Sequence, residues 1–73
     1  MKKERIPEPL ATGQLWKNEN FKNGTQVATI LSVEERSARV EFVETMAAGR
    51  ETRHKERVPV STFGIGSAWV LVL

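Results

Sequence analysis

The chain has no cysteine, no aspartate and no tyrosine, and its only histidine is His54. Without cysteine there are no disulfides, no thiolate nucleophiles and no cysteine-based zinc sites, so packing or self-association must supply what covalent or metal staples give other small domains. With one histidine, and with all nine carboxylate side chains belonging to glutamate, a metal centre has too few good donors, and neither a metal nor a cofactor is expected. Long apolar runs are missing too. The longest, Ala68 to Leu73, is far short of the roughly 20 residues that cross a bilayer, so no membrane partner is expected. Lys2, Lys3 and Arg5 stand near the start, but no apolar stretch follows them; a secretory signal is not expected, and a cytoplasmic location is.

What the chain does have is 73 residues, 40% of them hydrophobic and 27% charged. That composition folds, but at this size one core only just outweighs chain entropy. The net charge is +2, and it is local. In the stretch from Gly49 to Phe63, Arg50, Arg53, Lys55 and Arg57 outnumber Glu51 and Glu56 by two, which equals the excess of the whole chain. A basic balance of this size leans toward an anionic partner.

Met1 to Thr12, interrupted by Pro7 and Pro9, reads as a flexible N-terminal arm, and residues 13–73 as a single small β-barrel domain. Gly13 to Lys17 starts the first strand, with Leu15 and Trp16 on opposite faces. Asn18 to Gly24 is a polar loop ending in the Asn23-Gly24 turn signal, and its Phe21 is expected to fold back on the core or to meet a partner. From Thr25 to Val33, Val27, Thr29, Leu31 and Val33 alternate against Gln26, Ala28, Ile30 and Ser32, with Ile30 as the misfit. A turn over Glu34 to Ser37 leads to Ala38–Val43, with Ala38, Val40 and Phe42 inward and Arg39 and Glu41 outward.

After a loop at Thr45–Gly49, the segment from Arg50 to Val60 alternates again. Thr52, Val58 and Val60 suit the inner face, Arg53, Lys55 and Arg57 project from the other, and Pro59 assigns this end to a sheet edge or bulge. Pairing Val40 with Glu56 and Phe42 with His54 would bring Glu41 to Lys55 and Arg39 to Arg57. Two adjacent arginines need an anion or water. Ser61-Thr62-Phe63 fits a single helical turn with Phe63 as an apolar plug. Ala68 to Leu73 then reads as a last strand buried on both faces, or buried on one and used for association on the other. This order predicts an all-β fold, a small five-stranded SH3-like barrel with a one-turn helix before the last strand; an OB-fold is the nearest rival and would need more residues.

Gly13 and Trp16, then Arg57, Val58, Val60 and Phe63, then Leu71 and Val72 form a spaced pattern. It resembles a group of uncharacterised small SH3-like proteins frequent in phages that infect actinobacteria, which share a Gly-x-x-Trp opening, an arginine-led segment of alternating aliphatic residues closing on Phe, and a Leu-Val type ending. The chain departs from that pattern at Asn20 and Lys22, where those proteins tend to carry Asp and Arg, and at Trp69, where Tyr is common. The resemblance implies a phage protein acting in the host bacterial cytoplasm, with no activity to carry over.

Catalytic residues are not expected. His54 is the only candidate base, and Ser32, Ser37, Ser61 and Ser67 occupy no nucleophile elbow. Its own expected place is a half-buried strand position against Phe42. Gly64-Ile65-Gly66 lacks the lysine and helix of a phosphate loop.

Two binding readings remain. Side chains two apart on a strand lie about 6.6 to 7 Å apart on one face, close to the phosphate interval along a nucleic-acid strand, and Arg53, Lys55 and Arg57 have that spacing. Arg39, Arg50 and Lys22, with Lys17, would extend the patch over DNA or RNA, and Trp16 or Phe21, if exposed, would stack on an unpaired base. The same cations also describe an ordinary solvated strand face partly neutralised by Glu41 and Glu51. The alternative is a protein-interaction module that binds a host protein or forms a homodimer through its apolar C-terminal strand.

Overall fold

Turn-forming residues cut the chain into five extended segments, and each pairs with its neighbours. A computed structural model describes residues 10–64 and 66–72. Within them run β1 (Leu15–Asn18), β2 (Gly24–Val33), β3 (Ser37–Met46), β4 (Glu51–Pro59), a 3-10 turn (Val60–Phe63) and β5 (Trp69–Val72). All pairings are antiparallel, in one sheet of order β4-β3-β2-β1-β5. The all-β class, the five strands and the single turn before the last strand are as expected from the sequence. The sheet does not close, because β4 and β5 are its two ends and do not pair with each other. Most of the expected arm, residues 1–9, lies outside the described residues. Leu10 packs partly against the core, and the chain joins the sheet before β1, where Gly13 N–H donates to the Ile30 carbonyl and Ile30 N–H to that of Gln14.

One parity reading is reversed. In β2 the buried residues are Ala28 and Ile30, while Val27, Thr29 and Leu31 are only partly covered and Val33 is exposed. Ile30, 1% exposed, is the centre of the core and not a misfit. Both faces of β2 carry aliphatic side chains, so alternation within the strand cannot choose between them; the partner strand does. β3 has one apolar face, Ala38, Val40 and Phe42, and the register sets Ala28 against Phe42 and Ile30 against Val40. After Ile30 the register shifts, so that Ser32 meets Arg39 and Val33 meets Ala38.

The core joins Trp16, Ala28, Ile30, Ala38, Val40, Phe42, Val58 and Phe63. The 3-10 turn supplies the plug: the Phe63 ring centroid lies 5.3 Å from that of Trp16 and 5.2 Å from that of Trp69. Beside this apolar region a polar chain crosses the sheet. Asn18 Nδ2 donates to Gln26 Oε1 at 2.7 Å, and Gln26 Nε2 donates to Glu44 Oε2 at 2.8 Å.

The turn into β2 depends on backbone freedom. Asn23 has φ 65° and Gly24 φ 153°, and a Cβ on Gly24 would sit 2.1 Å from the Thr45 carbonyl oxygen. Gly24→Ala is therefore expected to lower stability by about 2 kcal/mol or more, measured by urea denaturation; an unchanged midpoint would show that β2 and β3 do not approach so closely here.

Candidate nucleic-acid interface

β4 is an edge strand with charge on both faces, and every residue from Glu51 to Arg57 is exposed. Its alternation sends Arg53, Lys55 and Arg57 to the outer face of the sheet, opposite the core. The pairing with β3 has the register expected from the sequence: Val40 with Glu56, Phe42 with His54, Glu41 with Lys55 and Arg39 with Arg57. Lys17 occupies the same outer face on β1, opposite Val27 and Val70.

The cations differ in how they are held. The Arg53 guanidinium is hydrogen-bonded to Glu51 and lies 3.6 Å from Glu41. The Glu51 hydrogen bond and charge, with Glu41 behind them, raise its pKa further above its already high value. Arg57 reaches Glu34 at 3.7 Å. Neither Arg39 nor Lys55 enters an ion pair among the described residues. Exposed ion pairs of this kind contribute about 0–1 kcal/mol, so a phosphate can exchange with the carboxylates. Arg39 beside Arg57 is a different matter, because like charges directly across two strands destabilise the pairing.

The other residues expected at the site are dispersed. Arg50 and Lys22 are exposed, and they share one end of the sheet, where Ala47 N–H donates to the Asn23 carbonyl at 2.8 Å. Arg39 and Arg57 stand toward the opposite end of the β3–β4 ladder. Trp16 is a correction. It is 7% exposed, packs on Phe63 and has no open face for a base, because its position on β1 is the inward one. Phe21 is half-buried. His54 stacks on Phe42 as expected, at 5.3 Å between ring centroids, but about half of its side chain (53%) stays open, and Nε2 lies 3.3 Å from Glu56. This pair is on the inner face, away from the outer cations.

One feature escaped the sequence reading: the Asn18–Gln26–Glu44 chain, whose members lie on three strands and gave no local signal. The aliphatic half of the outer face, where Leu15, Val70 and Val72 are 40%, 46% and 42% exposed, agrees with Leu15 lying opposite Trp16 and with a last strand that leaves one apolar face open. Among the described residues no three of His, Asp, Glu or Cys gather as metal ligands, and no helix is long and apolar enough to cross a membrane. Comparison of the chain with protein-family models, with curated proteins and with solved structures gives no match.

Proposed function

We propose that the chain is a small, non-enzymatic SH3-like module that binds nucleic acid by phosphate contacts along the outer face of β3 and β4. The observation that carries this reading is the register that sets Arg39 directly across from Arg57, where like charges weaken the strand pairing and, among the described residues, only Arg57 has a carboxylate, that of Glu34, within reach. An anion between them turns repulsion into two charge-assisted contacts. Lys55 and Arg53 continue the row at about 6.6 to 7 Å intervals, near the phosphate repeat. None of the outward strand positions that the pairing registers place on this face is aromatic, so the reading rests on contacts to backbone phosphates.

The strand order and the 3-10 turn between β4 and β5 are those of small SH3-like barrels, which supports the fold half of the proposal by analogy alone. The spaced pattern from Gly13 to Val72 supports a phage-type protein working in a bacterial cytoplasm.

The test is a titration of the full chain against labelled duplex and single-stranded DNA and RNA at several salt concentrations. Three to four phosphate contacts predict a fall in log K with log[salt] of about 2 to 3.5. Absence of binding at low salt overturns the proposal.

A second reading, a module that docks on a host protein, is favoured by one observation: Leu15, Val70 and Val72 lie exposed together beside a strand edge that has no partner strand among the described residues.

A further inference from the structure

The two ends of the sheet are of opposite character. β4 carries Glu51, Arg53, Lys55, Glu56 and Arg57 along its exposed length, and a charged edge resists pairing with another strand. β5, Trp69-Val70-Leu71-Val72, has no charge at all.

The hydrogen-bond phase of β5 shows what its free edge offers. Glu19 N–H donates to the Ala68 carbonyl at 2.8 Å. By the two-residue alternation of an antiparallel ladder, Lys17 with Val70 and Leu15 with Val72 are then also hydrogen-bonded pairs. Trp69 and Leu71 therefore direct their backbone groups away from β1. The Trp69 N–H is taken by Ser67 Oγ at 3.3 Å. Among the described residues, what remains without a partner is the Trp69 carbonyl and both the N–H and the C=O of Leu71, on a strand with no charged side chain to repel a neighbour.

We propose that this edge pairs with the β5 edge of a second copy of the chain, antiparallel about a two-fold axis at Leu71, to form a continuous ten-stranded sheet. Three observations select a second copy. First, the pairing is self-complementary: each Leu71 N–H meets the Leu71 carbonyl of the other copy, and on the outer face Val70 meets Val72 of the other copy. The aliphatic patch of Leu15, Val70 and Val72 becomes continuous across the axis. Second, β5 brings no charged side chain to the contact, and among the described residues Lys17 lies one strand back on β1. Third, the assembly closes at two. A head-to-tail contact of β5 on β4 would grow into an open filament, and it would set an uncharged strand against a charged one.

The interface is narrow, four residues of strand in each copy, well below the roughly 1,200 Å² of a standard interface. Association is accordingly weak, with a dissociation constant between about 10 μM and 1 mM. The dimer would carry its two cationic rows at opposite ends of one sheet. The inference does not depend on the nucleic-acid reading, and its test uses the protein alone.

Sedimentation equilibrium of the full chain over about 10 μM to 1 mM should show a mass rising from the 8.2 kDa of one chain toward twice that value. The V70K/V72K variant sets lysines against lysines across the axis and should weaken association by about tenfold or more. V70K/V72E should restore it, since the lysine at 70 then faces the glutamate at 72 of the second copy. Both positions are exposed, so circular dichroism should be unchanged in all three proteins. In the unmutated protein, amide exchange at Leu71 should slow as concentration rises, a readout that needs no variant. A monomer at every concentration, a dimer indifferent to V70K/V72K, or Leu71 exchange independent of concentration would each overturn the proposal.

Discussion

Phe63→Ala should lose about 3–5 kcal/mol of stability, most of what a domain of this size has. Phe63 is the one buried residue of the 3-10 turn, and its ring touches Trp16 on β1 and Trp69 on β5 at the same time. Trp69 in turn meets Phe42 on β3 at 5.8 Å between centroids. Truncation at position 63 therefore opens a void between Trp16 and Trp69, and it removes the contact that ties the 3-10 turn to β1 and β5. The neighbouring Ser61 is exposed, and Ser61→Ala should change stability by less than about 0.5 kcal/mol. Urea denaturation of both variants measures the contrast. A Phe63→Ala loss below about 1 kcal/mol would mean that the turn does not plug the core.

Changing Arg53, Lys55 and Arg57 together to serine should flatten the salt dependence of nucleic-acid binding by about two to three units of log K per log[salt]. The fold should barely respond, because all three side chains are exposed and their ion pairs are weak. The single changes should be unequal. Lys55→Ser removes a cation with no carboxylate engaged, whereas Arg53 is held by Glu51 and Glu41 and must be released before it can meet a phosphate. Lys55→Ser is therefore expected to reduce affinity more than Arg53→Ser. Lys22→Ser and Arg50→Ser, at the other end of the sheet, should leave the slope nearly intact. Equal effects at all five positions would point to diffuse attraction and not to a row of contacts on β4.

Where composition is one-sided the sequence was legible. β3 has a single apolar face, so its inward residues and its register with β4 followed from alternation, down to Arg39 opposite Arg57. Pro59 marked β4 as an edge because proline has no N–H to give a central strand. Asn23-Gly24 marked a turn because the backbone there needs φ values that favour these residues. β2 failed for the opposite reason: aliphatic residues on both faces left its orientation to be decided by β3, a partner distant in sequence. β5 read as a continuous apolar run, and only pairing with β1 reveals that Trp69 and Leu71 turn inward while Val70 and Val72 do not. Trp16 as a stacking residue failed because a tryptophan on a half-buried strand has two destinations, and the core had room for it between Phe63 and β2. Closure of the sheet depends on how far the strands curl, and no residue pattern encodes that directly.

The central claim is that Arg39 and Arg57 are kept together for an anionic partner at a cost to the fold, and Arg39→Glu tests both halves in one protein. The change gives Arg57 an opposite charge across the strands, and should raise folding stability by about 0.2–1 kcal/mol. Measured on the same preparation, affinity for nucleic acid at low salt should fall, with a salt slope shallower by about one unit. Binding and slope unchanged in a variant that folds as well as the original would contradict the account.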